Sequence, residues 1–218
     1  MASIPNDPPD KRRAQPELEE FRSKYEEKNP ISRHLISNYF KSVASLLARV
    51  EQPGTLRALE LGCGEGISTQ KLQGLLPGTA RLEASEYVQR QVDIAARLNP
   101  TLRIIQEDVY SLQRTEGSFD LVFLLEVLEH LDYPEKALEE IRRVSGRYLI
   151  LGVPREPIWR LLNMCRGKYW RALGNTPGHL NHWSARGITR LVEHGFGRVL
   201  AVERPLPWTI VLAEKEGA

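Results

Sequence analysis

Short apolar runs alternate along this chain with segments whose apolar residues fall three and four apart, the rhythm of strands and helices taking turns. Ile31, Leu35, Ile36, Tyr39, Val43, Leu46, Leu47 and Val50 keep helical spacing behind Asn29-Pro30, an N-cap followed by proline at the first helical position. Pro53-Gly54 stops that run. Leu56 to Leu61 reads as a first strand, Arg81 to Ser85 as a weaker second and Leu102 to Gln106 as a third. A helix over Val88 to Leu98, ended by Asn99-Pro100, separates the last two. Phe119 to Leu125 is almost continuously apolar, as a central strand buried on both faces requires. Ala137, Leu138, Ile141 and Val144 form a helical stripe behind Pro134, and Tyr148 to Val153 is a fifth strand. After a long connection, Ser184 caps a helix carrying Ile188, Leu191 and Val192, with Gly195 beyond its end. Arg198 to Val202 and Trp208 to Ala213 close the chain as two further strands. The alternation predicts an α/β fold with a doubly wound seven-stranded sheet, an N-terminal helix and ligands at the carboxyl ends of the strands.

Composition narrows this picture modestly. The 218 residues fit one α/β domain over 18–218, with an inserted segment at 154–183 and a disordered tail over 1–17 that is rich in proline and charge. A net charge of +2 lacks the dense basic stripe of a nucleic-acid binder, so no nucleic-acid partner is expected. No apolar run approaches the ~18 residues of a membrane span, and the N-terminus has no apolar core of a signal peptide. Cys63 and Cys165 make neither a disulfide framework nor a metal pair, so the cytoplasm is the expected location.

Candidate chemistry starts at Leu59-Glu60-Leu61-Gly62-Cys63-Gly64-Glu65-Gly66, between the first strand and a helix from about Ile67. The dinucleotide pattern G-x-G-x-x-G fails, because it requires glycine at Ile67. Glycines without a Cβ let a ligand approach the turn, and the helix N-terminus behind it offers N–H groups suited to a carboxylate. Glu86 ends the second strand, where a carboxylate can accept from both hydroxyls of a ribose; Glu83 competes for this role. Asp108 follows the third strand and can accept from an adenine amine while Val109 donates from its backbone, or it can cap a turn.

Together these positions, from Tyr25 to Ala213, resemble the class I S-adenosylmethionine (SAM)-dependent methyltransferases, whose fold is Rossmann-like. Phe119-Asp120-Leu121-Val122, Glu126-Val127-Leu128-Glu129-His130-Leu131 and Pro134 are similar to the type 11 branch that includes ubiquinone- and menaquinone-biosynthesis enzymes. The resemblance implies that SAM is held by Glu60, Gly62, Cys63, Gly64, Gly66, Glu86, Tyr87, Asp108, Val109 and the Leu125-Glu126 backbone. Cys63 is then a small filler without chemistry of its own. The implied reaction is methyl transfer to a small-molecule or lipid-like acceptor, with oxygen the expected atom and S-adenosylhomocysteine the product.

His130 and His182 are the catalytic candidates. A histidine titrates near neutrality and can take a proton from a hydroxyl, although His130 can equally bond the loop backbone. His179 and His182 flank Asn181 in a stretch whose Gly178 argues for a loop. No Asp or Glu lies near them in sequence, so no metal site is expected. Within 154–183, Ile158, Leu161, Leu162 and Cys165 fall on one helix face, with Trp159, Met164, Tyr169 and Trp170 adding apolar bulk. Arg160, Arg166, Lys168 and Arg171 add positive charge, and Gly167 marks a break. This is the composition of a substrate-selecting lid that packs on the sheet edge, covers an amphiphilic acceptor or rests on an anionic membrane surface.

Overall fold

The computed structural model describes residues 30–51, 54–165, 167, 169 and 172–217. The expected tail over 1–17, the Asn29 cap, the Pro53 stop and the side chains of Arg166, Lys168, Trp170 and Arg171 lie outside these residues.

Helix α1 (Pro30–Leu47) leads into strand β1 (Arg57–Leu61), α2 (Ile67–Leu75), β2 (Arg81–Glu86), α3 (Gln89–Leu98) and β3 (Arg103–Gln106). Then come β4 (Phe119–Leu125), a 3-10 turn (Leu128–His130), α4 (Pro134–Val144), β5 (Ser145–Pro154), α5 (Ile158–Cys165), α6 (Ala185–Gly195), β6 (Gly197–Glu203) and β7 (Trp208–Lys215). The strands form one sheet in the order β3-β2-β1-β4-β5-β7-β6. β1 to β5 pair in parallel, whereas β7 runs antiparallel to β5 and β6. Strand order reverses between β1 and β4, the switch point where such sheets open a crevice at their carboxyl ends.

The alternation of side chains along β4 shows why the sheet is covered on both sides. Leu121, Phe123 and Leu125 join Tyr39, Phe40, Val43, Leu46 and Leu47 of α1 in one core. Val122 and Leu124 face the opposite core, with Ala137, Leu138, Ile141 and Val144 of α4 and Ile188 and Val192 of α6. A strand with apolar residues at every position can satisfy two layers at once. The N-cap predicted at Ser184 is present, its hydroxyl accepting from Gly187 N at 3.1 Å.

Two expectations for α1 need correction. The helix ends at Leu47, with Val50 in the turn that follows, and Ile31 is 68% exposed. Its apolar stripe therefore covers the sheet only from Leu35 onward, because the first turn projects past the core.

Candidate active site

The crevice begins at the glycine loop. Gly62 N and Cys63 N both donate to Ser85 O, at 2.8 and 3.0 Å, which ties the loop to the end of β2. Gly66, the residue before α2, has a φ of 84°, and a Cβ there would lie 2.5 Å from Asn99 Nδ2 and 2.9 Å from Ala95 Cβ. Only glycine allows α2 to start so close to α3, and Asn99 Nδ2 closes the contact by donating to Gly66 O at 3.0 Å. No side chain caps the start of α2, consistent with a helix end left facing a ligand.

Carboxylates ring this crevice. Glu60, 1% exposed, accepts from Thr69 Oγ1 at 2.6 Å. Burial pushes its pKa up to about 7 against the opposing hydroxyls of Ser68 and Thr69, and the charge of Glu86 adds to the rise. Glu86 accepts from Gly64 N and Val88 N, each at 3.0 Å, so it bolts the loop to the helix after β2. Burial raises the pKa of Glu86 as well, while these backbone N–H groups oppose the rise. Glu83 is engaged elsewhere, by Arg103 at 3.1 Å and Arg114 at 2.5 Å, whereas Glu86 stands at the carboxyl end of β2. Tyr87, beside it, is 40% exposed.

Asp108 builds a turn, its Oδ1 accepting from Tyr110 N at 2.9 Å and its carbonyl from Ser111 N. Val109, half-buried, lies within that turn. At the end of β4, Glu126 takes a φ of 60°, a conformation costly for a non-glycine residue and concentrated at functional sites. Its N–H donates to Gly152 O at 2.9 Å, which ties the end of β4 to β5.

The histidines separate into two groups. His130 Nδ1 lies 2.9 Å from Gly178 O. A carbonyl only accepts, so Nδ1 carries a proton, and Nε2 lies 4.0 Å from Glu129 Oε1. Leu180 N and Asn181 N both donate to Glu129 O, and Asn181 Nδ2 donates to Leu131 O at 2.6 Å. These bonds dock 178–181 onto the 3-10 turn and bury His179 edge-on against His130, with ring centroids 4.9 Å apart. One ligand atom from each of Glu129, His130 and His179 lies within 4.8 Å of the others, close enough to bind a polar group or a small cation. The expectation that no acidic residue stands near His179 is thus corrected: Glu129 arrives from another part of the chain. His182 instead lies within the insertion, 2.7 Å from Asn175 Oδ1 and 3.4 Å from Arg160. Partial burial and the Arg160 charge lower its pKa.

The inserted segment also packs differently from its apolar rhythm. In α5 the buried residues are Trp159 and Asn163, whereas Leu161 is 57% exposed and Cys165 is exposed. The predicted face Ile158–Leu161–Leu162–Cys165 is therefore corrected to one led by Trp159 and Asn163. Hydrogen bonds decide it: Trp159 Nε1 donates to Thr176 Oγ1 at 2.9 Å, and Asn163 Nδ2 reaches Gly174 O and Thr176 Oγ1. A satisfied amide can occupy the interior where hydropathy alone would place a leucine.

Residues 59–149 match the family described as a methyltransferase domain. Over 109 residues the chain is 34% identical to the mitochondrial ubiquinone biosynthesis O-methyltransferase of Candida albicans, a match covering 44% of this chain and 32% of that protein. Among solved structures it is similar to a SAM-dependent methyltransferase from Aquifex aeolicus, with a TM-score of 0.69 and 17% identity over 92% of this chain and 100% of that one. It is also similar to magnesium protoporphyrin IX methyltransferase from Synechocystis with bound S-adenosylhomocysteine, with a TM-score of 0.66 and 17% identity over 91% and 94% of the two chains. The fold is thus one shared with these methyltransferases, and residues 59–149 carry the match to a methyltransferase domain. The chain spans about a third of the length of the first two curated relatives it matches.

Proposed function

We propose that this chain transfers a methyl group from SAM to oxygen on a small-molecule or lipid-like acceptor. The observation that carries the reading is the set of carboxylates Glu60, Glu86, Asp108 and Glu126 around a glycine loop at the carboxyl ends of β1 to β4. Such a crevice rich in acceptor oxygens suits a cationic ligand bearing ribose hydroxyls and an adenine amine. It would repel a pyrophosphate-bearing dinucleotide, in agreement with the missing G-x-G-x-x-G.

When bound, the sulfonium of SAM supplies an electrophilic methyl carbon. Glu60, Gly62, Cys63, Gly64, Gly66, Glu86, Tyr87, Asp108, Val109 and the Leu125-Glu126 backbone are the residues proposed to hold SAM. His130 is placed to accept the acceptor's proton at Nε2, because its Nδ1 is held by Gly178 O. His179 and Glu129 line the same corner and orient the hydroxyl. His182, paired with Asn175, serves the inserted segment and not the proton transfer. Packing of Trp159 and 178–181 over this corner excludes water and aligns the acceptor, which is most of what such a displacement needs from a protein. The 34% identity over 109 residues to the ubiquinone biosynthesis O-methyltransferase of Candida albicans supports oxygen on a small-molecule acceptor.

A test incubates the protein with methyl-labelled SAM and a host extract, then separates small molecules, lipids, RNA and protein. Label in the small-molecule or lipid fraction, lost in base-stable form from the His130→Ala reaction, supports the reading. Label in RNA or protein overturns the acceptor class, and no transfer with retained SAM binding makes the chain a binding module.

A further inference from the structure

One buried ion-pair group has no part in the chemistry above. Arg114, with a side chain 6% exposed, donates through Nε to both oxygens of Glu107, at 2.9 and 3.1 Å. Its Nη1 reaches Glu83 Oε2 of β2 at 2.5 Å, and its guanidinium carbon sits 5.3 Å from the centre of the Phe119 ring. Glu107 is itself only 1% exposed at its side chain. Arg114 therefore joins the two ends of the loop 107–114 and fastens both to the sheet.

That loop is tightened from the other side as well. Arg143 donates to Arg114 O at 2.7 Å and to Leu112 O at 2.9 Å, while Glu140 accepts from Leu112 N at 2.8 Å. The Tyr110 hydroxyl accepts from Tyr133 N at 3.1 Å. Glu107 N donates to Glu86 O at 3.1 Å, so the loop starts from the backbone of the ribose carboxylate. Asp108 and Val109 directly follow the carboxylate that Arg114 grips. A buried arginine held by two carboxylates is costly unless its geometry is well satisfied, and such groups serve to fix one arrangement of the chain.

We propose that Arg114 is a positioning residue that sets adenine specificity: through Glu107 it fixes Asp108 and Val109 at the edge where the adenine amine is read. This rests on the reading that SAM binds here with Asp108 at its amine. Lysine cannot replace the fork, because it offers a point charge in place of two fixed N–H directions.

The test compares S-adenosylhomocysteine with S-inosylhomocysteine, in which a ring carbonyl replaces the amine, by calorimetric titration of the full chain. Wild-type protein should prefer the adenine compound by about tenfold or more, since a site built to bond an amine rejects the analogue lacking it. In Arg114→Gln the affinity for S-adenosylhomocysteine should fall about tenfold while that for the inosine compound stays, so that their ratio collapses toward one. Arg114→Lys should fall between. Glu83→Gln, which removes one partner at the outer side and leaves the Glu107 pair, gives a smaller shift in the same direction and serves if Arg114→Gln does not fold. An unchanged ratio, or equal loss for both compounds, overturns the proposal, because a merely structural arginine would weaken both alike. Wild-type protein that binds neither compound, or binds both equally, refutes the underlying SAM or Asp108 reading instead.

Discussion

Glu86 accepts the amide of Gly64 at 3.0 Å, and this bond joins the glycine loop to the end of the neighbouring strand. The other carboxylate oxygen accepts Val88 N, so one side chain sets both the loop and the start of α3. Removing it should loosen the loop and delete the ribose acceptor together. Glu86→Ala is expected to weaken S-adenosylhomocysteine binding by about 1.5–3 kcal/mol, the contribution of a charged hydrogen bond. Gly64→Arg should abolish binding, because a side chain there enters the crevice from a backbone with φ of 55°. Calorimetric titration checks both, with circular dichroism confirming that the variants fold. Full affinity in Glu86→Ala would remove the ribose role from this residue.

Glu60 makes stability depend on pH in a direction opposite to that of a paired surface carboxylate. Its folded pKa of about 7 lies above the ordinary 4.5, so the folded state holds a proton that the unfolded chain has released. Its contribution is complete below about pH 4.5 and declines as pH rises toward 7, by about 3 kcal/mol in all. Glu60→Gln keeps the buried shape without the charge. Urea unfolding of the ligand-free protein should show the variant close to wild type near pH 4.5 and more stable by up to about 3 kcal/mol at pH 8. A difference that does not change with pH would show that Glu60 titrates normally.

His130 and His182 are assigned different work by their partners. His130 is bonded to Gly178 O at the crevice, and His182 to Asn175 within the insertion. His130→Ala should therefore lower kcat by about 10²–10⁴, the range of a general base, while S-adenosylhomocysteine affinity is retained. His182→Ala should keep kcat within a few-fold and alter at most the KM of the acceptor. Full turnover in His130→Ala would point to an acceptor that needs no base.

Much of this fold was legible in local rhythm. The boundaries of β4, the start of α2 at Ile67 and the Ser184 cap follow from apolar alternation and glycine punctuation, both properties of neighbouring residues. Glu86 was preferred to Glu83 for its place at the end of β2, but the arginines that engage Glu83 were not legible, because Arg103 and Arg114 reach it from 20 and 31 positions away. His179 escaped notice as the partner of His130 for the same reason: the bonds of Leu180 and Asn181 to Glu129 O that bury it cross 50 residues of chain. In α5 the hydrophobic rhythm pointed to the wrong face, since Asn163 goes inward on its hydrogen bonds to Gly174 and Thr176 and carries no apolar signal.

Turning α5 by that much leaves Leu161 outward, and Leu173, 70% exposed, projects from the same inserted segment. Trp159 already packs into the main core beside Trp208 of β7, so these leucines are not needed for that packing. In sequence Arg166, Lys168 and Arg171 lie between these two exposed leucines, a composition that favours contact with anionic lipid. The protein is expected to co-sediment at low salt with vesicles containing phosphatidylserine, and less with neutral ones. Leu161→Ser with Leu173→Ser should cut this binding several-fold without lowering the melting temperature, because neither side chain is buried. Binding that persists in the double variant would place the contact elsewhere. No sedimentation at low salt would discard the membrane role and leave a soluble acceptor beneath the same segment.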